Sequence, residues 1–267
     1  MAKVYIQKTE DRKGFVKKIF ELPEIKKEME KAKKILLKPN IVSFESYPTT
    51  THPDLLRACL EILIPTKKEI LVADGPAYDA GNSERIIREH LLQKVCNEYG
   101  LNLLNLNSQN FKKVKTPSFE LEVSTIPFQC DFIISLPVLK AHSRCKITGA
   151  LKNQYGLLSL EQKLRGHGMD IDKIIAELNL IIKPNLWVID AVQTLIGTNE
   201  VRHGGQLRNL GYLMTGKDPV SLDIQGLKFL RKVDPKLKNE TFQNIPQLKY
   251  ALDLGLGEAS YKLENLD

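Results

Sequence analysis

One stretch of this chain concentrates the side chains that could do chemistry on an anion. Residues 138–168 carry six Lys and Arg (Lys140, Arg144, Lys146, Lys152, Lys163 and Arg165) against a single acid, Glu161. Like charges gathered this way repel unless water or an anion neutralises them, so the segment reads as an anion site. Lys and Arg are the residue types that recognise phosphate and carboxylate. Within the segment Lys140 and His142 are two residues apart, so on an extended backbone both point to the same side. Such a pair can serve as general base and anion anchor, the cation depressing the imidazole pKa. A solvated surface lysine beside a satisfied loop histidine is the plainer alternative.

Other residues join this set. Lys38 adds positive charge, and the amides of Asn40 and Asn153 suit the orientation of a ligand. Asp74 and Asp190 could hold a divalent metal, with His52 or His142 as the third ligand, although each Asp could equally cap a turn. His167 in RGHG and His203 in RHGG stand in glycine-rich loops that suit a lid, and His90 falls on a helix face. Cys59, Cys96, Cys130 and Cys145 are far apart and form no CxxC pair. No iron–sulfur cluster of its own is expected for the chain, and its thiols fit a reducing compartment.

The elements that must position these residues alternate between strand and helix. Apolar runs at 35–37, 69–73, 131–136 and 186–189 each lead into polar residues: Lys38-Pro39-Asn40, Asp74-Gly75, Lys140-Ala141-His142 and Asp190-Ala191. In open parallel sheets ligands bind beyond the carboxyl ends of strands, so these endings predict one shared cleft. Helices are predicted at 23–34, from an N-cap at Thr51 to Pro65, at 83–99, 170–182, 218–230 and 245–254. The fold class is therefore α/β: a largely parallel sheet with helices on both faces and a basic, loop-rich segment over its carboxyl edge. A single domain spans 1–267, and its less regular part at about 138–210 could form a second lobe.

Composition excludes several classes. The net charge of +7 has a second source in residues 1–38, whose twelve Lys and Arg against six acids read as a solvated helix face. No apolar run approaches the roughly 20 residues that span a bilayer, and the amino terminus lacks a signal core. A cytoplasmic protein with no membrane partner is expected. GxGxxG, GxxxxGK[ST] and GxSxG are absent. The basic segment offers one aromatic, Tyr155, so nucleic acid is an unlikely partner by composition.

Short motifs recur in order along the chain: KPN (38–40), Thr50-Thr51-His52-Pro53, ADG (73–75), LPVLKAH (136–142), ITGALKNQYGL (147–157), IDA (189–191) and GKDPVSLD (216–223). The ordered set resembles the domain of unknown function 362 family over nearly the whole chain. Many members carry ferredoxin-type cysteine repeats and are described as iron–sulfur proteins; this chain has none. A looser likeness, of fold alone, is to the nickel-pincer lactate racemases. Together these readings imply an enzyme, or enzyme component, binding a small anionic metabolite or cofactor. The alternatives are a non-catalytic cofactor-binding module with a ferredoxin-like partner and, behind it, a nucleic-acid binder.

Overall fold

The computed structural model describes residues 1–266. Among them twelve strands form: β1 (Ala2–Lys8), β2 (Lys34–Pro39), β3 (Glu69–Asp74), β4 (Leu103–Asn105), β5 (Phe111–Lys115), β6 (Glu120–Ser124), β7 (Phe132–Leu136), β8 (Lys140–His142), β9 (Lys146–Thr148), β10 (Leu186–Ile196), β11 (Gln206–Gly216) and β12 (Tyr261–Asn265). The helices are α1 (Arg12–Glu21), α2 (Pro23–Lys31), α3 (Pro53–Leu63), α4 (Ser83–Glu89), α5 (Leu91–Glu98), α6 (Ala150–Asn153), α7 (Leu160–His167), α8 (Ile171–Ile181), α9 (Pro219–Leu230) and α10 (Pro246–Asp253).

Eight strands make one sheet in the order β12-β1-β11-β10-β7-β2-β3-β4. Only the β1–β11 and β10–β11 pairings are antiparallel; the other five are parallel. Central strands β2 and β7 are apolar on both faces, as a sheet covered on both sides demands. Their side chains alternate between two cores. Ile35, Leu37, Phe132 and Ile134 pack with Phe15, Leu56 and Ile86 from α1, α3 and α4. Leu36 and Ile133 pack with Ile175, Leu222 and Leu248 from α8, α9 and α10. Each such buried side chain contributes roughly 1.5–3 kcal/mol of transfer free energy. Two further sheets are two-stranded, β5–β6 and β8–β9.

Three departures from the sequence reading matter. The helix over 83–99 is two helices, because His90 turns extended and its Nδ1 accepts the Leu92 N–H to start α5. His90 is therefore a buried cap, and burial pushes its pKa down to about 4. Thr51 does not cap α3: its hydroxyl donates to the Leu136 carbonyl and accepts the Asn40 N–H, tying the ends of β7 and β2, while His52 takes the cap. Strand β10 continues to Ile196, so Asp190 lies inside a strand and not at its end.

Candidate functional site

Strands β2, β3 and β7 stop at one edge of the sheet, at Pro39, Asp74 and Leu136. Beneath that edge the short motifs interlock. Lys38 and Asp74 form a fully buried ion pair at 2.6 Å, and Asp74 also accepts the Ile41 N–H at 2.5 Å. Burial lowers the Lys38 pKa and the Asp74 charge opposes that shift. A Cβ on Gly156 would stand 2.3 Å from the Asp74 carboxylate, so only glycine lets the backbone of ITGALKNQYGL lie here. Asn153 donates to Ser135 Oγ at 2.8 Å, which docks α6 on the end of β7. The Asp223 carboxylate accepts the Ala150 and Leu151 N–H groups, capping α6 from α9; burial pushes its pKa up to about 7.

Above this layer lies a cavity of about 230 Å³. Its walls come from the ends of β2 and β3, from the β8–β9 hairpin, from α6 and α7, and from the loop between β10 and β11. Pockets for drug-sized ligands run to several hundred Å³, so this one suits a small metabolite. Glu45 pins the last of these walls by accepting the backbone N–H groups of Val201 and Arg202.

Three lysines border the cavity in different states. Lys163 Nζ donates to the carbonyls of Gly75 and Pro76 and to Asn107 Oδ1, at 3.0, 3.2 and 2.7 Å. Burial lowers its pKa to about 7, yet three acceptors match the three N–H groups of an ammonium, so this lysine is a fastener. Lys140 is wholly buried and meets two neutral acceptors, Asn40 Oδ1 at 3.1 Å and the Thr49 carbonyl at 2.5 Å. Desolvation brings its pKa to about 7, with Glu200 raising it and Lys152 lowering it. Lys152 is half-buried, lies 5.0 Å from the Tyr155 ring centre, and has no carboxylate within ion-pair distance among the described residues. Behind this wall Asn153 Oδ1 and Thr148 Oγ1 are buried and have no hydrogen-bond partner.

His142 Nδ1 accepts the backbone N–H groups of Arg144 and Cys145, both at 3.1 Å. That places the proton of the neutral ring on Nε2 and makes the ring a donor. Burial, followed by the charges of Lys152 and Lys140, holds its pKa well below the ordinary value. The depressed imidazole pKa read from sequence is seen here with burial as its first cause, and the Lys140 pKa is brought down as well.

The structure brings together Asn40, Asp74, Lys140, His142, Lys152 and Asn153 at the cavity. Lys38 lies under its floor, held by Asp74. Arg144 is turned away, donating to the carbonyls of His167 and Met169, and Lys146 pairs with Glu240 at 2.8 Å. Asp190 is elsewhere: Arg12 pairs with it at 2.6 Å and the Tyr47 hydroxyl donates to it at 2.7 Å. His52 stacks edge-on against Tyr47, so the trio His52, Asp74 and Asp190 does not share a cation; two of its members have cationic partners of their own. Among the described residues one other group, Asp79, Glu200 and His203, lies close enough to do so, and Arg202 already bonds both of its carboxylates. The four cysteines are free thiols, three of them buried. Sequence reasoning missed Lys163 as a wall, along with Asp79, Tyr78 and Glu200; His167 and His203, read as lid residues, do border the cavity.

Fold and site together define an α/β protein with a lysine-lined cavity at the carboxyl ends of its parallel strands. The chain belongs to the family described as Domain of unknown function (DUF362), whose model matches residues 35–228. It is 21% identical over 199 residues to the thylakoid-associated protein sll1697 of Synechocystis, a match covering 72% of this chain and 61% of that protein. Its fold is similar to that of the lactate racemase apoprotein from Thermoanaerobacterium thermosaccharolyticum, with a TM-score of 0.55 and 13% identity over 86% of this chain. The chain spans 57% of the racemase chain and thus under two thirds of either protein. No helix among the described residues is long and apolar enough to cross a membrane.

Proposed function

We propose that the cavity binds one small carboxylate or phosphate anion and that the protein is an enzyme, or a component of one, acting on it. The observation that carries this reading is the contrast among the amines at this edge. Lys38 has a carboxylate and Lys163 has three acceptors, whereas Lys140 and Lys152 meet the cavity with no carboxylate in contact. A buried cation left this way is costly unless a ligand completes it or it gives up its proton. Lys152 anchors the anion, the Nε2–H of His142 donates to it, and Lys140 exchanges a proton with it near neutral pH. Lactate, which the racemase's name gives as its substrate, is a small carboxylate of this class.

A thermal-shift series tests the reading. Acetate, lactate and phosphate are compared with chloride at matched ionic strength, on wild type and on Lys152→Ala. A ligand at a hundred times its dissociation constant stabilises a fold by about 2.7 kcal/mol. At least one anion is expected to raise the melting temperature of wild type beyond chloride, and Lys152→Ala to lose most of that increment. Equal responses to all salts, shared by the variant, would overturn it.

A further inference from the structure

We propose that Lys140 forms an imine with the carbonyl carbon of a small 2-oxo acid held in the cavity, a step that rests on the anion reading above. Among the four lysines around this edge, Lys140 alone is wholly buried with fewer than three acceptors and no carboxylate. Its two acceptors, Asn40 Oδ1 and the Thr49 carbonyl, leave one position on Nζ without a hydrogen-bond partner. As a free amine, that position is the lone pair. Lys38 cannot take this role because Asp74 and the Pro39 carbonyl hold its Nζ under the floor, and Lys163 has three acceptors. Desolvation, the means by which amines become nucleophiles near neutrality, lowers Lys140 to the range where a good share is unprotonated.

The surrounding groups fit each part of a 2-oxo acid. Lys152, half-buried and without a carboxylate partner, suits the acid's carboxylate. The Nε2–H of His142 suits the carbonyl oxygen. The Lys140 nitrogen adds to the carbonyl carbon, forming the C–N bond, and the carbonyl oxygen takes up a proton to become hydroxyl. That hydroxyl then leaves as water while the nitrogen loses its remaining hydrogens, so amine and ketone give imine and one water. No oxidant or reductant is required.

Reductive trapping tests this. Wild type, Lys140→Met and Lys140→Arg are incubated with pyruvate and cyanoborohydride, which reduces an imine to a stable secondary amine, and intact mass is followed by peptide mapping. One attached group at Lys140 is expected in wild type and its loss in both variants. Lys152→Ala is expected to lose trapping with pyruvate while keeping it with acetaldehyde, which has no carboxylate. Attachment scattered over exposed lysines, or surviving in both Lys140 variants, would overturn the proposal. Thermal stabilisation by pyruvate without attachment at Lys140 would overturn the imine and leave the anion reading intact; neither stabilisation nor attachment would overturn the imine, and the anion reading then stands or falls on the acetate, lactate and phosphate series.

Discussion

Two buried charged regions of this molecule are built on opposite terms. Around Asp190 the charges are closed among themselves: Arg12 bonds both carboxylate oxygens, the Tyr47 hydroxyl donates to one of them, and the Val192 N–H adds a further bond. At the cavity, Lys140 and Lys152 face each other's positive field with no carboxylate in contact, beside two unpaired oxygens. Both regions are polar, buried and made partly from family motifs. The difference shows that burial of charge does not by itself mark a site; at the cavity it is the buried amine without a carboxylate that supports the proposed one. Asp190 looks like a ligand residue in sequence and is a fastener in the structure, because its partner Arg12 lies 178 residues away.

The comparison is sharpest under substitution. Asp190→Ala should be the most damaging change, since it strands the Arg12 guanidinium; breaking one half of a buried pair costs about 3–5 kcal/mol. Chemical denaturation measures it, and a loss under 1 kcal/mol would show that this region is not closed as described. Gly156→Ala comes next, at about 1–3 kcal/mol, because its new Cβ falls 2.3 Å from Asp74 Oδ1. A variant as stable as wild type would mean the backbone does not approach Asp74 so closely.

Lys140→Met should behave in the opposite sense from Asp190→Ala. Removing an incompletely partnered buried amine leaves the ligand-free fold as stable as wild type, or more so, at pH below about 7. The folded pKa of about 7 lies under the ordinary 10.5, so the unfolded chain binds more protons between those values. Wild-type stability therefore gains on the variant as pH rises from about 7 to 10.5 and stays level below that window. Melting curves across pH check this, and a gap that does not move with pH would contradict it. The smallest effect belongs to Thr148→Val. Its hydroxyl has no partner, so the fold should change by less than about 1 kcal/mol. A large loss without ligand would mean the hydroxyl is already bonded.

How much of this was legible in sequence depends on the distance of each signal. The strand endings at Lys38, Asp74 and Lys140 were readable because an apolar run and the polar residue after it are neighbours in the chain. The parallel sheet followed from the same runs. Lys163 stands out in sequence only as one charge of the basic segment, although the Ser159 cap puts Gln162, Lys163 and Gly166 on one buried face of α7. Helical spacing from that cap was the available signal. Strand β1 and helix α1 were hidden by the lysines between their apolar positions. Arg144 and Lys146 could not be told from Lys140 by type, because what separates them is their partners: two carbonyls for Arg144 and Glu240 for Lys146. The tautomer of His142 depended on two backbone N–H groups that only the β8–β9 turn brings into range.

The central claim is that Lys140 waits in the cavity for an anion, and its own titration tests that most directly. Nuclear magnetic resonance of lysine Cε and Nζ in isotopically labelled protein follows the amine, with Lys140→Met assigning the signal. The account predicts a midpoint near 7 in the free protein, moving upward when an anion that stabilises the fold is added, because the negative charge favours the ammonium. A midpoint near the ordinary 10.5, unmoved by any such anion, would contradict it.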